Sequence, residues 1–260
     1  MLTRILTSIV GIVVFLGVIF APPIALYIAL FVVCAGMLYE MYRVIDAKWQ
    51  LQIVGNLAQI IMFAGFFADK FGLAFYGAIF LFMIALVFLW GKCNSKEVLI
   101  SGMATLYITS AVLSLVILRL KYHSFMLFLP FIIAWLSDTG AYFTGYFLGK
   151  HKLCPKMSPK KTVEGAIGGV VFAGIATFVY LGFVYGNFTA GFSWMAILIG
   201  SIGSVVSQVG DLAASCIKRD FDKKDYGSLL PGHGGLMDRF DSVLFSAPYV
   251  LLIVTYFPFI

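Results

Sequence analysis

The chain has 260 residues, 62% of them hydrophobic and 12% charged, with a formal net charge of +6 and a mean hydropathy of +1.00. That balance excludes a soluble globular protein and leaves little length for a separate soluble domain. The apolar runs are continuous rather than alternating, which argues against a β-barrel and for helices that cross about 30 Å of hydrocarbon.

In chain order, nine helices are expected. The opening segment, MLTRILTSIVGIVVFLGVIFAPP, has the charge and apolar core of a secretory leader, with Arg4 ahead of the run. No small-x-small cleavage site precedes Pro22 and Pro23, so the segment is read as a retained first span, 4–21. The further spans are expected at 23–42, 51–68, 72–91, 97–119, 124–148, 163–185, 191–217 and 239–258. The result is an all-α polytopic integral membrane protein. Residues 1–120 form about five N-terminal spans, and 121–260 form a polar-motif-bearing region with long loops at 149–162 and 218–238. Cys34, Cys93, Cys154 and Cys216 match no zinc or disulfide spacing and are read as packing or loop residues.

Cationic side chains concentrate on the cytoplasmic face of a membrane protein. Nine spans place fifteen of the 18 Lys and Arg residues on the N-terminal face, leaving Lys70, Arg119 and Lys121 on the other. The N-terminus and both long loops are therefore expected in the cytoplasm. Ten of those fifteen cations lie in or beside the two long loops. Topology alone accounts for the charge; a cluster this dense also suits anionic lipid or a polyphosphate, with no nucleic acid implied.

Ionisable groups inside a span are candidates for function. Asp211 lies on a stripe of Ser201, Ser204, Gln208, Asp211, Ser215 and Lys218, spaced by three and four residues and so on one helix face. Taken alone, its serines read as interhelical glue. Asp138 sits in WLSDTGAYFTG, where Gly140 and Gly145 permit close helix approach. Lys160 and Lys161, in MSPKKTVEGAIGG, precede the start of a span, a natural cradle for phosphate. Gly165 and Gly169 read as packing residues, and Glu164 either complements the helix dipole or serves function. In GSLLPGHGGLMDRFDS the glycines preclude a regular helix before Leu236, and a helix beyond would show Asp238 and Asp241 on one face. Those two carboxylates with Asp211 would make an oxygen-only pocket suited to Mg²⁺. Alternatively, Asp238 and Asp241 are dipole partners at a helix start, paired with Arg239.

The stretch SCIKRDFDKKDYGSLLPGHGGLMDRFDS is similar to the signature of the phosphatidate cytidylyltransferases, or CDP-diacylglycerol synthases. The matching residues are Ser215, Lys218, Arg219, Lys224, Asp225, Pro231, His233, Gly234, Gly235, Asp238, Arg239 and Asp241. SDTGAYFTG and SPKKTVEGAIGG, which includes Ser158, resemble upstream motifs of the same family. The resemblance covers the C-terminal half closely and the first 120 residues only by length and hydropathy. It implies that CTP and phosphatidate give CDP-diacylglycerol and pyrophosphate with Mg²⁺. It also implies a homodimer in the bacterial inner membrane and a paired metal centre on Asp211 and Asp238, with K⁺ as a candidate second ion.

The residues fit that reaction. A lipid phosphate is ionised near neutral pH, so the difficulty is bringing two polyanions together rather than generating a nucleophile. Asp211, Asp238, Asp241, Lys218, Arg219 and His233 are the catalytic candidates. Asp138, Ser158, Lys160, Lys161, Ser215, Lys224, Asp225, Gly234, Gly235 and Arg239 are the substrate-binding ones. His233 either donates to a phosphate oxygen or stabilises its turn. Two other readings compete. A CTP-dependent lipid kinase would release CDP instead of pyrophosphate. A transporter would use Asp138 and Asp211 for ion coupling, but no inverted repeat is visible. CDP-alcohol phosphotransferases are disfavoured because D-G-x-x-A-R is missing.

Overall fold

The computed structural model of the chain describes residues 17, 20, 22–122, 124–229 and 234–257. The first expected span, 4–21, lies outside the described residues except for Gly17 and Phe20, both helical. Seven helices among the described residues are long and apolar enough to cross a membrane. They begin with α1 (Pro23–Val44), α2 (Trp49–Phe67), α3 (Phe71–Phe88) and α4 (Ser95–Lys121). A 3₁₀ turn (Ser124–Phe128) then leads into α5 (Leu129–Leu148), followed by α6 (Val163–Tyr185) and α7 (Ala190–Asp220). An antiparallel hairpin, β1 (Lys152–Cys154) and β2 (Ser158–Thr162), fills the loop between α5 and α6. The protein is thus an all-α polytopic membrane protein with one small hairpin.

The last expected span, 239–258, is not one helix. It is split into α8 (Met237–Phe240) and α9 (Val243–Tyr256), with a break at Asp241 and Ser242. The cause is local. Asp238 Oδ2 accepts the Gly235 N–H at 3.1 Å, and Asp241 Oδ1 accepts the Ser242 N–H at 2.7 Å. Side-chain-to-backbone bonds of this kind compete with the helical ladder. Asp238 and Asp241 therefore do not share one face of a continuous helix. With 14 residues, α9 is about 21 Å long, short of the hydrocarbon thickness.

By backbone contacts the chain forms two compact units. The first is Met1–Val116 with Phe221–Arg239, and the second is Ile117–Asp220 with Phe240–Ile260. In the first unit, α3 exposes Leu73, Tyr76, Phe80, Ile84, Val87 and Phe88, as a helix apolar on all sides does in lipid. Its interior holds specific polar contacts. Gln59 Nε2 donates to the Phe31 carbonyl at 2.8 Å, and the Tyr42 and Thr105 hydroxyls bond to each other. In lipid such bonds satisfy groups that hydrocarbon cannot.

In the second unit a core of Leu118, Met126, Leu129, Ile133, Leu181, Ala196, Val250 and Val254 anchors the helices. Both ends of α6 are chemically marked. The Thr162 hydroxyl accepts the Gly165 N–H at 3.1 Å, and Gly186 closes the helix at φ 61°. The expected packing glycines serve that role: a Cβ on Gly165 would fall 2.8 Å from the Ala141 carbonyl, and one on Gly169 2.8 Å from that of Ser137. This close approach of α5 and α6 is what brings Asp138 and the hairpin lysines to one cavity.

Candidate active site

The second unit carries the cavity. Its volume is about 520 Å³, and its walls include Asp138, Tyr142, Lys160, Lys161, Gln208 and Asp211. Strand β2 alternates its side chains, and Lys161 turns to form an ion pair with Asp211. Asp138 lies within electrostatic reach of both Asp211 and Lys161. Ser158 opens β2 opposite Cys154. Arg219 Nε, at the end of α7, donates to the Met157 carbonyl at 3.5 Å and so ties the hairpin to that helix.

Glu164 stands in the first turn of α6, where a carboxylate complements the helix dipole. Its carboxylate accepts the Lys150 and His151 N–H groups and meets His151 Nδ1 at 2.6 Å, pinning the entry to the hairpin.

The polar stripe of α7 divides in two. Ser204 bonds Ser137 at 2.7 Å, and Gln208 Nε2 donates to Ser204 and to the Ala166 carbonyl, so this half joins helices. The other half carries the charge. Ser215 Oγ donates to Asp211 Oδ1 at 3.4 Å, and Lys218 is 9% exposed despite its charge. Asp241 is equally buried. Burial first, then the Asp211 charge, raise its carboxyl to about 7; the Ser242 N–H and Lys218 pull it down, and Asp138 adds a smaller upward push. Asp138, Asp211, Asp241, Lys161 and Lys218 thus form one mutually interacting charge cluster.

The signature loop lies in the first unit. Asp238 Oδ2 accepts the Tyr226 N–H at 2.9 Å as well as that of Gly235. Gly234 adopts φ 84°, a conformation that favours glycine. Lys224, Asp225 and Arg239 are exposed. His233 lies outside the described residues, as do Pro231 and Gly232.

Glu40 belongs beside these residues and was not among the sequence candidates. It is 1% exposed within α1, and its Oε2 accepts the Met237 N–H at 2.8 Å. The rule that singled out Asp138 and Asp211 applies equally to a glutamate in a span. What concealed it was distance along the chain: 197 residues separate Glu40 from Met237.

The oxygen donors of the second unit fit Mg²⁺. Among the described residues no three His, Cys, Asp or Glu side chains form a ready cage. Mg²⁺ needs none, since it keeps waters and binds through one or two carboxylates together with substrate phosphates. Burial first, and then the Asp211 charge, raise the Asp241 carboxyl, and a divalent cation would relieve the repulsion between the two carboxylates. A separate groove of about 650 Å³, lined by Phe125, Ile132, Leu136, Val179, Tyr180 and Phe183, carries no charge and offers no such chemistry.

Comparison with known proteins decides the family. A family model described as the cytidylyltransferase family matches residues 2–257. The chain belongs to the cytidylyltransferase family. The phosphatidate cytidylyltransferase of Bacillus subtilis is 31% identical over 98% of this chain and 97% of its own length. The proteins of the same name from Staphylococcus haemolyticus and Staphylococcus saprophyticus are 47% and 46% identical over 124 residues. That alignment spans 48% of this chain and about half the length, 46%, of each staphylococcal relative.

Proposed function

We propose that the protein is a phosphatidate cytidylyltransferase. It joins CTP and phosphatidate to give CDP-diacylglycerol and pyrophosphate. The observation that carries this reading is the cavity in which Lys160 and Lys161 face Asp138 and Asp211. Family membership and the full-length likeness to the Bacillus subtilis protein support it.

A phosphate oxygen of the lipid attacks the α-phosphorus of CTP, and the bond to the bridging oxygen breaks, so pyrophosphate leaves with that oxygen. The nucleophile is already an anion, so no strong base is needed. Lys160 is exposed at the cavity wall and meets arriving phosphate. Lys161 is held in place by Asp211 until substrate competes for it. Lys218, buried within electrostatic reach of Asp241, supplies a cation where negative charge gathers. Asp211 and Asp238 are assigned to Mg²⁺ from the signature motif, and Mg²⁺ when bound would screen the phosphates and polarise the α-phosphoryl group. By the same resemblance the enzyme is a homodimer with K⁺ as a second cation. The distribution of Lys and Arg along the chain supports a bacterial inner-membrane enzyme whose active site faces the cytoplasm.

The test is an incubation of purified enzyme with CTP labelled in the cytidine, phosphatidate and Mg²⁺. Label is expected in the lipid extract, with pyrophosphate released, and Asp211→Asn is expected to lower the rate by about 10³-fold or more. Release of labelled CDP with no labelled lipid would instead identify a kinase.

A further inference from the structure

Glu40 is buried in α1 with one oxygen committed and the other unmatched. Oε2 accepts the Met237 N–H at 2.8 Å. Oε1 is buried without a hydrogen-bond partner. Folding alone gives no reason to keep such a group, because an apolar side chain of similar volume would avoid the desolvation cost. Its surroundings give the reason. A Cβ on Gly227 would fall 2.4 Å from Oε1, and one on Gly235 would fall 2.6 Å from Oε2 and 2.9 Å from Asp238 Oδ2. One turn earlier on the same helix face, a Cβ on Gly36 would lie 3.0 Å from Leu236. Both ends of the signature loop are therefore wrapped on one carboxylate, and Asp238 is bonded to the backbone of that same wrap through Tyr226 and Gly235.

We infer that Glu40 is a positioning residue: it seats the two described flanks of the loop, 226–229 and 234–238, on α1 and thereby fixes the carboxylate of Asp238. The inference rests on the transferase reading for its catalytic consequence but not for the seating itself. It also gives Gly227 and Gly235 a specific duty, since any larger residue would push the Glu40 carboxylate off the loop.

The experiment compares wild type, Glu40→Gln, Glu40→Ala and Gly227→Ala in detergent. Hydrogen exchange is measured first, with EDTA and no substrate. Glu40→Ala and Gly227→Ala are expected to speed exchange of peptides within 224–240 by about tenfold or more, with other helices unchanged. Glu40→Gln retains an acceptor for the Met237 N–H and is expected to exchange like wild type. In the second arm, Glu40→Ala is expected to raise the Mg²⁺ concentration for half-maximal rate about tenfold while leaving KM for phosphatidate in place, and Glu40→Gln to restore it. Exchange in 224–240 that matches wild type in both alanine variants would overturn the inference. So would faster exchange throughout the chain, which marks a merely structural role. Gly227→Ala reaches the same contact from the loop side should Glu40→Ala fail to fold. If wild type itself makes no CDP-diacylglycerol, the transferase reading falls while the exchange arm still decides the seating.

Discussion

Asp241 shows how burial and charge set the behaviour of a single residue. Its carboxyl stands at about 7 because it is buried and faces Asp211. That value lies above the unfolded value of about 3.9, so the folded protein holds the proton more tightly. The resulting stabilisation is fully present below about pH 4 and is lost as the pH rises through about 7. In EDTA, Asp241→Asn is therefore expected to melt above the parent at pH 8, with the gap narrowing at pH 5. Asn keeps an acceptor for the Ser242 N–H, so the local turn survives the change. Added Mg²⁺ at pH 8 should raise the parent's melting temperature more than the variant's, since a cation then offsets the repulsion. Thermal unfolding in detergent at the two pH values reads both effects. An Asp241→Asn protein that melts below the parent at pH 8 would contradict the electrostatic account. At this scale the sequence was informative about identity but not about environment. Asp138, Asp211, Lys160 and Lys161 were legible as candidates from polarity within apolar runs. The burial of Lys218 and Asp241, and the part played by Glu40, depend on neighbours supplied from elsewhere in the chain.

Elements were legible wherever their ends carry chemistry. The span expected at 163–185 matches α6 at both ends because Thr162 caps its start and Gly186 its finish. The span expected at 239–258 failed because Asp238 and Asp241 bond the nearby backbone instead of presenting a helix face. Strands of 3 and 5 residues in the loop after α5 leave too short a period to read. Along α7 the three-four spacing was visible, but its division into a packing half and a charged half was not. That division has a measurable consequence. Ser204→Ala removes the bond to Ser137 and one partner of Gln208. It is expected to cost about 0.6 kcal/mol, the average for an interhelical bond in a membrane protein, and to lower the melting temperature by about 1–3 °C. KM for CTP should not change, because Ser204 is fully buried between helices. A large rise in KM with no loss of stability would place Ser204 with the charged half instead.

For the whole molecule, hydropathy revealed the class, while the grouping of the chain did not follow from order in the sequence. Phe221–Arg239 packs with the first unit although it follows α7. Charge along the chain carries the remaining global property, orientation. Each cation on the translocated side would have to cross the bilayer, so retained Lys and Arg mark the cytoplasm. The α5–α6 loop holds Lys150, Lys152, Lys156, Lys160 and Lys161, as many cations as lie in or beside the 218–238 loop. Cys154, on β1 of that same loop, is a free and partly accessible thiol, whereas Cys34 and Cys93 are buried. In a Cys216→Ala background Cys154 is the one remaining free cysteine that is not buried. A membrane-impermeant maleimide is expected to label it in inverted inner-membrane vesicles and to leave it unlabelled in right-side-out ones. Mass spectrometry of the 152–160 region gives the readout. CTP, the proposed substrate, is cytosolic, so a Cys154 labelled only in right-side-out vesicles would put the cavity lysines on the wrong side of the membrane for it, and the proposed orientation would fail.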